Sequence, residues 1–215
     1  LLAASFFNAL GVPDLFNTET GETAIGTFGL MDPNGIFAFR GLFPPEPSAW
    51  TKQFLGWTTP QEVGGAEAQT VSLRAAGLDD GSDAARVPIS DVEYLLVETR
   101  HRDPEGDGLV LQVWQDGAIV EQRVQNGDDD FDGVTSIDGF VGGVVVAVDN
   151  YDWVLPGGLL RDGTGDPVLD EEGNPIPLNG GMLIWHIDER RLTDGTVNDD
   201  PDRRAVDLEE ADSAQ

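Results

Sequence analysis

The chain has 215 residues and a formal net charge of −28, because 40 Asp and Glu outnumber 12 Lys and Arg. A protein that binds nucleic acid by neutralising phosphates needs a basic patch, so this composition excludes that class and argues against binding to an anionic membrane surface. Hydrophobic residues make up 40% of the chain, which is enough for a folded core. Cysteine is absent, which excludes disulfides, thiolate zinc sites and a cysteine nucleophile. No apolar run approaches the roughly 20 residues of a membrane span.

Two explanations fit the acidity, and the composition leaves both open. In the first, the surface is adapted to high salt, where carboxylates dominate and lysine is scarce; Lys52 is the only lysine in the chain. In the second, Asp residues bind calcium. Each explanation relieves the repulsion between carboxylates, either through screening by salt or through neutralisation by bound Ca²⁺.

The first quarter of the chain is predicted to carry the helices. Residues 1–10 are apolar and are followed by Gly11 and Pro13, a pattern typical of a helix C-terminus. The stretch 17–29 is rich in Thr and Gly and predicts a loop. Residues 47–55 predict a short helix with Ser48 as its N-cap.

From about residue 67 the hydrophobic pattern changes to a period of two, which indicates β-strands. It predicts strands at residues 70–74, 93–99, 109–115 and 118–124, with a two-residue hairpin turn at Asp116-Gly117. Buried strands are predicted at 144–148 and 182–187, a last short strand at 205–208, and a protruding hairpin over 162–179. The expected fold is α+β and β-rich, with mainly antiparallel strands and hairpins, in a single domain over residues 1–215.

Six stretches spread along the chain carry a resemblance to one protein family. They are residues 11–16, 28–32, 48–57, 93–100, 181–189 and 202–212. In this order they resemble the immune inhibitor A-type family of secreted bacterial metallopeptidases, which are metzincin-like zinc proteases. The resemblance implies the C-terminal part of such a protease domain, with residues 1–60 as a remnant of the zinc-helix and methionine-turn region and 61–215 as the β-rich region. It also implies an extracellular location and, as a partner, the missing N-terminal part of the same domain, packed against the first helix.

The zinc chemistry of that family depends on His-Glu-x-x-His on a helix, because the spacing puts both imidazoles on one face and the Glu polarises the zinc-bound water. The resemblance implies that Ala4, Ser5 and Asn8 occupy the His, Glu and His positions and that Asp14 occupies the third ligand position. Ala4 cannot coordinate a metal, Ser5 has no carboxylate, and Asn8 offers only a neutral amide oxygen.

We therefore expect that zinc is not bound here and that this copy is a pseudoenzyme. For Asp14 the preferred interpretation is a helix-exit or turn residue whose carboxylate accepts hydrogen bonds from nearby backbone N–H groups, and a residual zinc-ligand position is the alternative. By resemblance, Met31 is the methionine turn that lies beneath the zinc site, and a buried methionine under a loop is the alternative.

An Asp-rich loop is the remaining candidate metal site. Residues 128–133 match D-x-D-x-D-G, the opening of a calcium loop in which alternate carboxylates converge on the cation. Gly139 stands where an EF-hand needs a bidentate Glu, so the pattern is not an EF-hand. The prediction is a looser β-loop calcium site, and a solvated acidic turn is the alternative. Its ligands would be Asp128, Asp130, Asp132 and Asp138.

These interpretations leave two functions open. The first is an immune inhibitor A-like metallopeptidase domain that has lost its proteolytic activity. The second is a non-catalytic scaffold of a secreted protein, stabilised by calcium or binding a protein or peptide. His186, in an apolar strand, is expected to be a core histidine bonded to a carboxylate or a carbonyl rather than a metal ligand. Too few acids cluster for calcium to explain the whole charge, so salt adaptation is the preferred explanation for the bulk of it.

Overall fold

In a computed structural model the structure describes residues 1–37, 44–65, 67–78, 83–106, 108–124, 143–152, 154–155, 157–178, 180–193, 195 and 197–209. The described helices are α1 (Leu2–Ala9), α2 (Pro33–Phe37), α3 (Ala49–Phe54) and α4 (Glu189–Thr193), with a 3₁₀ turn at Gly26–Phe28. The described strands are β1 (Gln61–Glu62), β2 (Ala84–Pro88), β3 (Glu93–Arg100), β4 (Leu109–Gln115), β5 (Ala118–Val124), β6 (Val144–Val148), β7 (Gly181–Asp188) and β8 (Val206–Leu208). A few short helices with mostly antiparallel strands fit the predicted α+β class.

The chain divides into two compact units. The first comprises Leu1–Thr99 and Met182–Gln215, and the second comprises Arg100–Gly181. One sheet has five strands in the order β1-β2-β3-β7-β8, and the other has three in the order β5-β4-β6. The pair β1–β2 is parallel, whereas β2–β3, β7–β8, β4–β5 and β4–β6 are antiparallel. The assignment of residues 1–215 to a single domain stays a prediction.

The core of the first unit lies between its helices and one face of the five-stranded sheet. Strand β3 alternates strictly between buried and half-buried residues, as a strand with one packed face should. Its buried side chains meet those of α1, α3, β7 and β8 in one apolar cluster. Members of that cluster include Phe7, Trp50, Tyr94, Leu96, Trp185, Ile187 and Val206.

Both predicted helices of the first quarter are present, and local signals bound them. The Ser48 hydroxyl accepts a hydrogen bond of 3.2 Å from the backbone N–H of Thr51, which satisfies one of the free donors at the start of α3. After α1 the chain turns at Gly11, whose φ of +91° is in the left-handed region that favours glycine.

The second unit contains the predicted β4–β5 hairpin with its predicted bounds. Asp116 and Gly117 form the two-residue turn, with φ values of +50° and +88°, which is typical of a type I′ turn. Leu109, Leu111 and Val113 point to the buried side of β4. The predicted hairpin over 162–179 is built from two tight turns joined by isolated bridges rather than by regular strands.

Three of the predicted strands need correction. Residues 70–74 are not a strand. Strand β2 pairs along β3 instead, at Ala84 to Pro88, and Ala75, just after the predicted segment, makes a single bridge to Thr99. The strand at 144–148 is present but not buried, because it is at the edge of a three-stranded sheet and Val144 is 65% exposed. In β7 the burial is confined to the second half, since Met182 is 62% exposed while Trp185 and Ile187 are buried.

No helix in the described residues is long and apolar enough to cross a membrane.

Candidate functional site

The positions assigned by resemblance to zinc binding lie along α1 and in the segment that follows it. The side-chain amide of Asn8 donates a hydrogen bond of 3.3 Å to the carboxylate of Asp14. Asn8 and Ser5 are exposed, whereas Ala4 is buried in the core. The structure therefore brings together the positions of the second and third ligands. The described partner of the Asp14 carboxylate is a side chain rather than the backbone N–H groups that the preferred interpretation expected.

The segment that carries Asp14 is fixed to the turn that carries Met31. The backbone N–H of Leu15 donates a hydrogen bond of 2.8 Å to the carbonyl oxygen of Met31. Both side chains are fully buried in the core of the first unit. A buried methionine thus lies beside the segment that follows α1, an arrangement that both interpretations of Met31 expect.

Asp32 holds the turn at Met31 in place. Its carboxylate, which has no exposed surface, accepts hydrogen bonds from the Thr23 hydroxyl at 2.8 Å and from the backbone N–H groups of Ala24, Ile25 and Asn34 at 2.9, 3.1 and 3.0 Å. A buried carboxylate is costly unless its oxygens are satisfied, and here they are. This role of Asp32 was not predicted from the sequence, since most of its partners belong to a loop seven to nine residues earlier.

Asn198 ties the same region to β8. Its amide nitrogen donates to the carbonyl oxygens of Leu15 and Val206, and its amide oxygen accepts from the N–H groups of Ala205 and Val206. The side chain is buried, so its donors and acceptor are matched without water. No local pattern in the sequence points to this residue, because Leu15 is 183 positions away along the chain.

The donor atoms at these positions do not fit a catalytic zinc ion. Such an ion takes three protein ligands from His, Asp, Glu or Cys side chains. Ala4 has no donor, Asn8 has a neutral amide that already contacts Asp14, and one carboxylate is what remains. In the part of the chain that the structure describes, no group of three or more His, Asp or Glu side chains could hold a metal ion.

A small cavity adjoins Asp14. It measures about 140 Å³ and is lined by Pro13, Asp14, Phe16, Thr18, Gly195, Val197 and Asp199. One oxygen of Asp199 accepts from the backbone N–H and the hydroxyl of Thr18, at 2.7 and 2.9 Å, which fixes the orientation of this carboxylate. Val197 has a φ of +29°, an uncommon conformation for a β-branched residue.

The predicted calcium ligands Asp128, Asp130, Asp132 and Asp138 lie outside the described residues. The calcium site therefore stays a prediction. In two acidic turns elsewhere, the carboxylate of the first Asp accepts hydrogen bonds from backbone N–H groups. Asp162 accepts from the hydroxyl of Thr164 and from the N–H groups of Thr164 and Asp166, and these hydrogen bonds lower the pKa of its carboxyl. Asp170 accepts from the N–H groups of Asn174 and Glu172, which lower the pKa of its carboxyl.

His186 bonds a carboxylate, as predicted, but it is half-buried and lines a cavity, so it is not the core histidine that was expected. Its Nε2 is 2.9 Å from Oε1 of Glu93, and since a carboxylate only accepts, Nε2 carries the proton. The two residues line a cavity of about 250 Å³ with Asp188 and Arg190. The side chain of Arg190 donates to both oxygens of Asp188, and these hydrogen bonds lower the pKa of that carboxyl.

The sequence analysis missed a second polar group, built around the single lysine. Lys52 lies on α3, and its ammonium is 2.7 Å from Oε1 of Glu46 and 3.2 Å from Oδ2 of Asp83. Burial on its own lowers the pKa of Lys52, but Glu46, Glu98 and Asp83 outweigh that effect and raise it. The only available signal was the scarcity of lysine, which does not identify its partners.

Comparisons with protein families, curated proteins and solved structures gave no match for this chain.

Proposed function

We propose that this chain is the C-terminal portion of an immune inhibitor A-like metallopeptidase domain of a secreted protein, and that it acts without proteolytic activity. The observation that carries the proposal is the contact between Asn8 and Asp14. The resemblance assigns these residues to two ligands of one zinc ion, which must converge in space. They do converge, although neither the sequence spacing nor the helix alone requires it.

The surroundings of this contact support the same proposal. Metzincin-like enzymes have a methionine turn beneath the metal, and here the turn at Met31 is hydrogen-bonded to the residue after Asp14. The turn is fixed by a fully satisfied buried carboxylate, Asp32. A scaffold of this kind keeps its shape without metal, since core packing and hydrogen bonds hold it.

The absence of proteolysis is argued from residue chemistry. A zinc peptidase needs three ligands and a carboxylate that polarises the attacking water. Ser5 cannot act as that carboxylate, and Ala4 and Asn8 cannot replace two histidines. A peptidase assay with added zinc should therefore show no turnover that a chelator abolishes.

The partner in this proposal is the N-terminal part of the same domain. Leu2 and Phe6 on α1 and Leu10, the residue that caps its C-terminus, follow one another at helical spacing and are all exposed. A stripe of this kind is typical of a helix that packs against another element.

Calcium binding at the Asp128 to Asp138 loop belongs to the alternative function and rests on its sequence pattern.

The test of this proposal introduces histidines at the two positions where the resemblance expects histidine ligands of zinc. In the double variant Ala4→His/Asn8→His, Asp14 would complete a three-ligand site, and we expect it to bind one zinc ion per chain. Adding Asp14→Asn should weaken that binding at least tenfold. Zinc affinity would be measured by competition with a chromophoric chelator on metal-free protein, with near-UV circular dichroism to confirm folding.

Because Ala4 is buried, the single variant Asn8→His provides a second measurement at an exposed position. It should bind zinc weakly through the introduced imidazole and the carboxylate of Asp14, and Asp14→Asn should abolish that binding. If the folded variants bind zinc equally with and without Asp14, the proposed ancestry of this site is wrong.

A further inference from the structure

A cavity in the first unit, distinct from the Asn8–Asp14 site, is lined by both charged and aromatic side chains. It measures about 280 Å³ and is bounded by Glu46, Lys52, Trp57, Thr58, Gly77, Leu78 and Asp83. Its volume is near the lower end of the usual range for small-molecule sites. A ligand of the size of one ring would therefore fill it.

The polar wall of this cavity is preorganised. The Lys52 side chain is 10% exposed, and its ammonium is held between Glu46 and Asp83. The Thr58 hydroxyl donates a hydrogen bond of 2.6 Å to the other oxygen of Asp83, which fixes that carboxylate. An ammonium group has three N–H donors, and two of them point at carboxylates. Among the described residues, the third donor, the second oxygen of Glu46 and the hydroxyl oxygen of Thr58 have no further hydrogen-bond partner and can meet a ligand.

The other wall is aromatic. The Trp57 side chain is 56% exposed, although it packs edge-on against Phe7, with ring centroids 5.5 Å apart. An indole that is held by a neighbour and still open to solvent offers a rigid apolar face at little entropic cost. It follows directly after Gly56, which ends α3 with a φ of +71° and turns the chain toward the cavity wall.

The charges decide which ligand fits. A cation would meet the ammonium of Lys52, which is held between the two carboxylates that line the cavity. An anion would meet Glu46 and Asp83. A neutral group that both donates to carboxylates and accepts from the ammonium satisfies all three, and a hydroxyl does both.

We propose that this cavity binds a neutral polyhydroxylated ring, that is, one sugar residue, with its hydroxyls on Glu46, Lys52 and Thr58 and its apolar face on Trp57. This ligand matches the polar and the aromatic wall at once. The inference does not depend on the proposed origin of the Asn8–Asp14 site, so the two can fail separately.

The single lysine supplies the probe. In the full chain labelled with ¹⁵N-lysine, one backbone amide and one ammonium report on Lys52, and both would be followed by NMR. The titrants are methyl glycosides of glucose, galactose and mannose, together with N-acetylglucosamine. We expect at least one of them to shift the Lys52 signals saturably, with a dissociation constant of about 1 mM for a site with one aromatic wall.

Matched variants locate the binding. Trp57→Ala should weaken it about tenfold, since stacking on an aromatic ring is lost. Trp114→Ala, at a similarly exposed tryptophan in the second unit, should leave it unchanged. Glu46→Gln keeps the shape of the side chain but removes the charge beside Lys52 and should also weaken it.

Three outcomes would overturn the proposal. They are no saturable shift with any of the glycosides, equal binding by Trp57→Ala, and stronger shifts with tetramethylammonium or with acetate than with the glycosides. Because Trp57 is exposed, its variant is expected to fold, and its one-dimensional NMR spectrum checks this.

Discussion

At the scale of single residues, burial changes the pKa of both tyrosines of the chain. The Tyr94 side chain lies in the core of the first unit, where its hydroxyl accepts a hydrogen bond of 2.9 Å from Gln53 and the Arg86 guanidinium stands 3.9 Å from the ring centroid. Burial raises the pKa of Tyr94 to about 12, although the hydrogen bond from Gln53 opposes it. Burial also raises the pKa of Tyr151, against the hydrogen bond from Arg102.

These shifts predict loss of stability in alkali. A tyrosine that is protonated up to about pH 12 in the fold, but ionises near pH 10 when unfolded, contributes stability that is complete below pH 10 and disappears as the pH rises to about 12. The contribution of Tyr94 should reach about 2 kcal/mol. Urea unfolding between pH 9 and pH 12 should show the decline, and absorbance at 295 nm should show both tyrosines ionising late in the folded protein.

Tyr94→Phe is the control, because it removes the ionising group but keeps the ring. Its free energy of unfolding should decline less steeply over the same pH interval. A Tyr94 that titrates near pH 10 in the folded state, or a variant with an unchanged slope, would contradict the assignment. Lys52 changes stability in the same direction, since its pKa is also raised, so part of the decline should remain in the variant.

The role of a single residue could be predicted from the sequence where it depends on positions only a few residues away along the chain. The cap at Ser48 and the turn at Asp116-Gly117 are confirmed, since each depends on a few adjacent positions. The roles of Asn198, Asp32 and Lys52 were not predicted. The hydrogen bond from Asn198 to Leu15 and the ion pair from Lys52 to Asp83 join distant positions, and no periodicity encodes such partners.

At the scale of elements, the β4–β5 hairpin depends on its turn. Gly117 has a φ of +88°, and a Cβ added there would meet nothing within 4 Å. Any cost of adding a side chain is therefore conformational rather than steric. Gly117→Ala should lower the free energy of unfolding by about 1 kcal/mol, because alanine is unfavourable in the left-handed region.

Gly163 supplies the matched control in the same unit. A Cβ there also meets nothing within 4 Å, but its φ is outside the left-handed range. Gly163→Ala should therefore be neutral or slightly stabilising, since it reduces the freedom of the unfolded chain. Urea unfolding of both variants makes the comparison, and equal effects would show that backbone conformation is not what Gly117 supplies.

The errors at this scale have a common physical cause. Residues 70–74 alternate in hydrophobicity as a strand would, but the place beside β3 is taken by β2, at Ala84–Pro88. The alanines and the proline of β2 are poor strand formers, so its sequence did not predict a strand. Strand β6 is rich in valine, and valine-rich runs were expected to be buried, yet its place at an edge leaves it exposed. Periodicity identifies segments that can form strands, whereas pairing partners and edges are set by tertiary competition.

At the scale of the whole molecule, the charge of −28 must be offset by something other than the protein's own cations. Several described arginines form ion pairs, among them Arg86 with Glu62 and Arg204 with Asp207. With 12 basic residues against 40 acidic ones, the basic residues can neutralise fewer than a third of the carboxylates. Unfolding separates these charges, so their repulsion favours the unfolded state at low ionic strength.

Salt should therefore stabilise this protein more than calcium does. The Debye length falls from about 10 Å at 0.1 M to about 3 Å at 1 M salt, so distant carboxylates no longer repel each other. We expect the melting temperature to rise by about 4–8 °C over that range, equivalent to about 2 kcal/mol for a chain of this size. KCl and NaCl should act alike, because screening does not distinguish the two cations.

Calcium is tested at constant ionic strength, so that screening is held fixed. If the Asp128 to Asp138 loop binds calcium, millimolar Ca²⁺ should add a smaller, saturable increase that EDTA reverses, because ligand binding stabilises in proportion to the logarithm of its concentration. The variant Asp130→Asn should remove that increase and leave the response to NaCl intact. If Ca²⁺ instead raised the melting temperature strongly and NaCl did not, bound ions would be what relieves the repulsion between carboxylates. Salt adaptation would then be the wrong explanation of the charge.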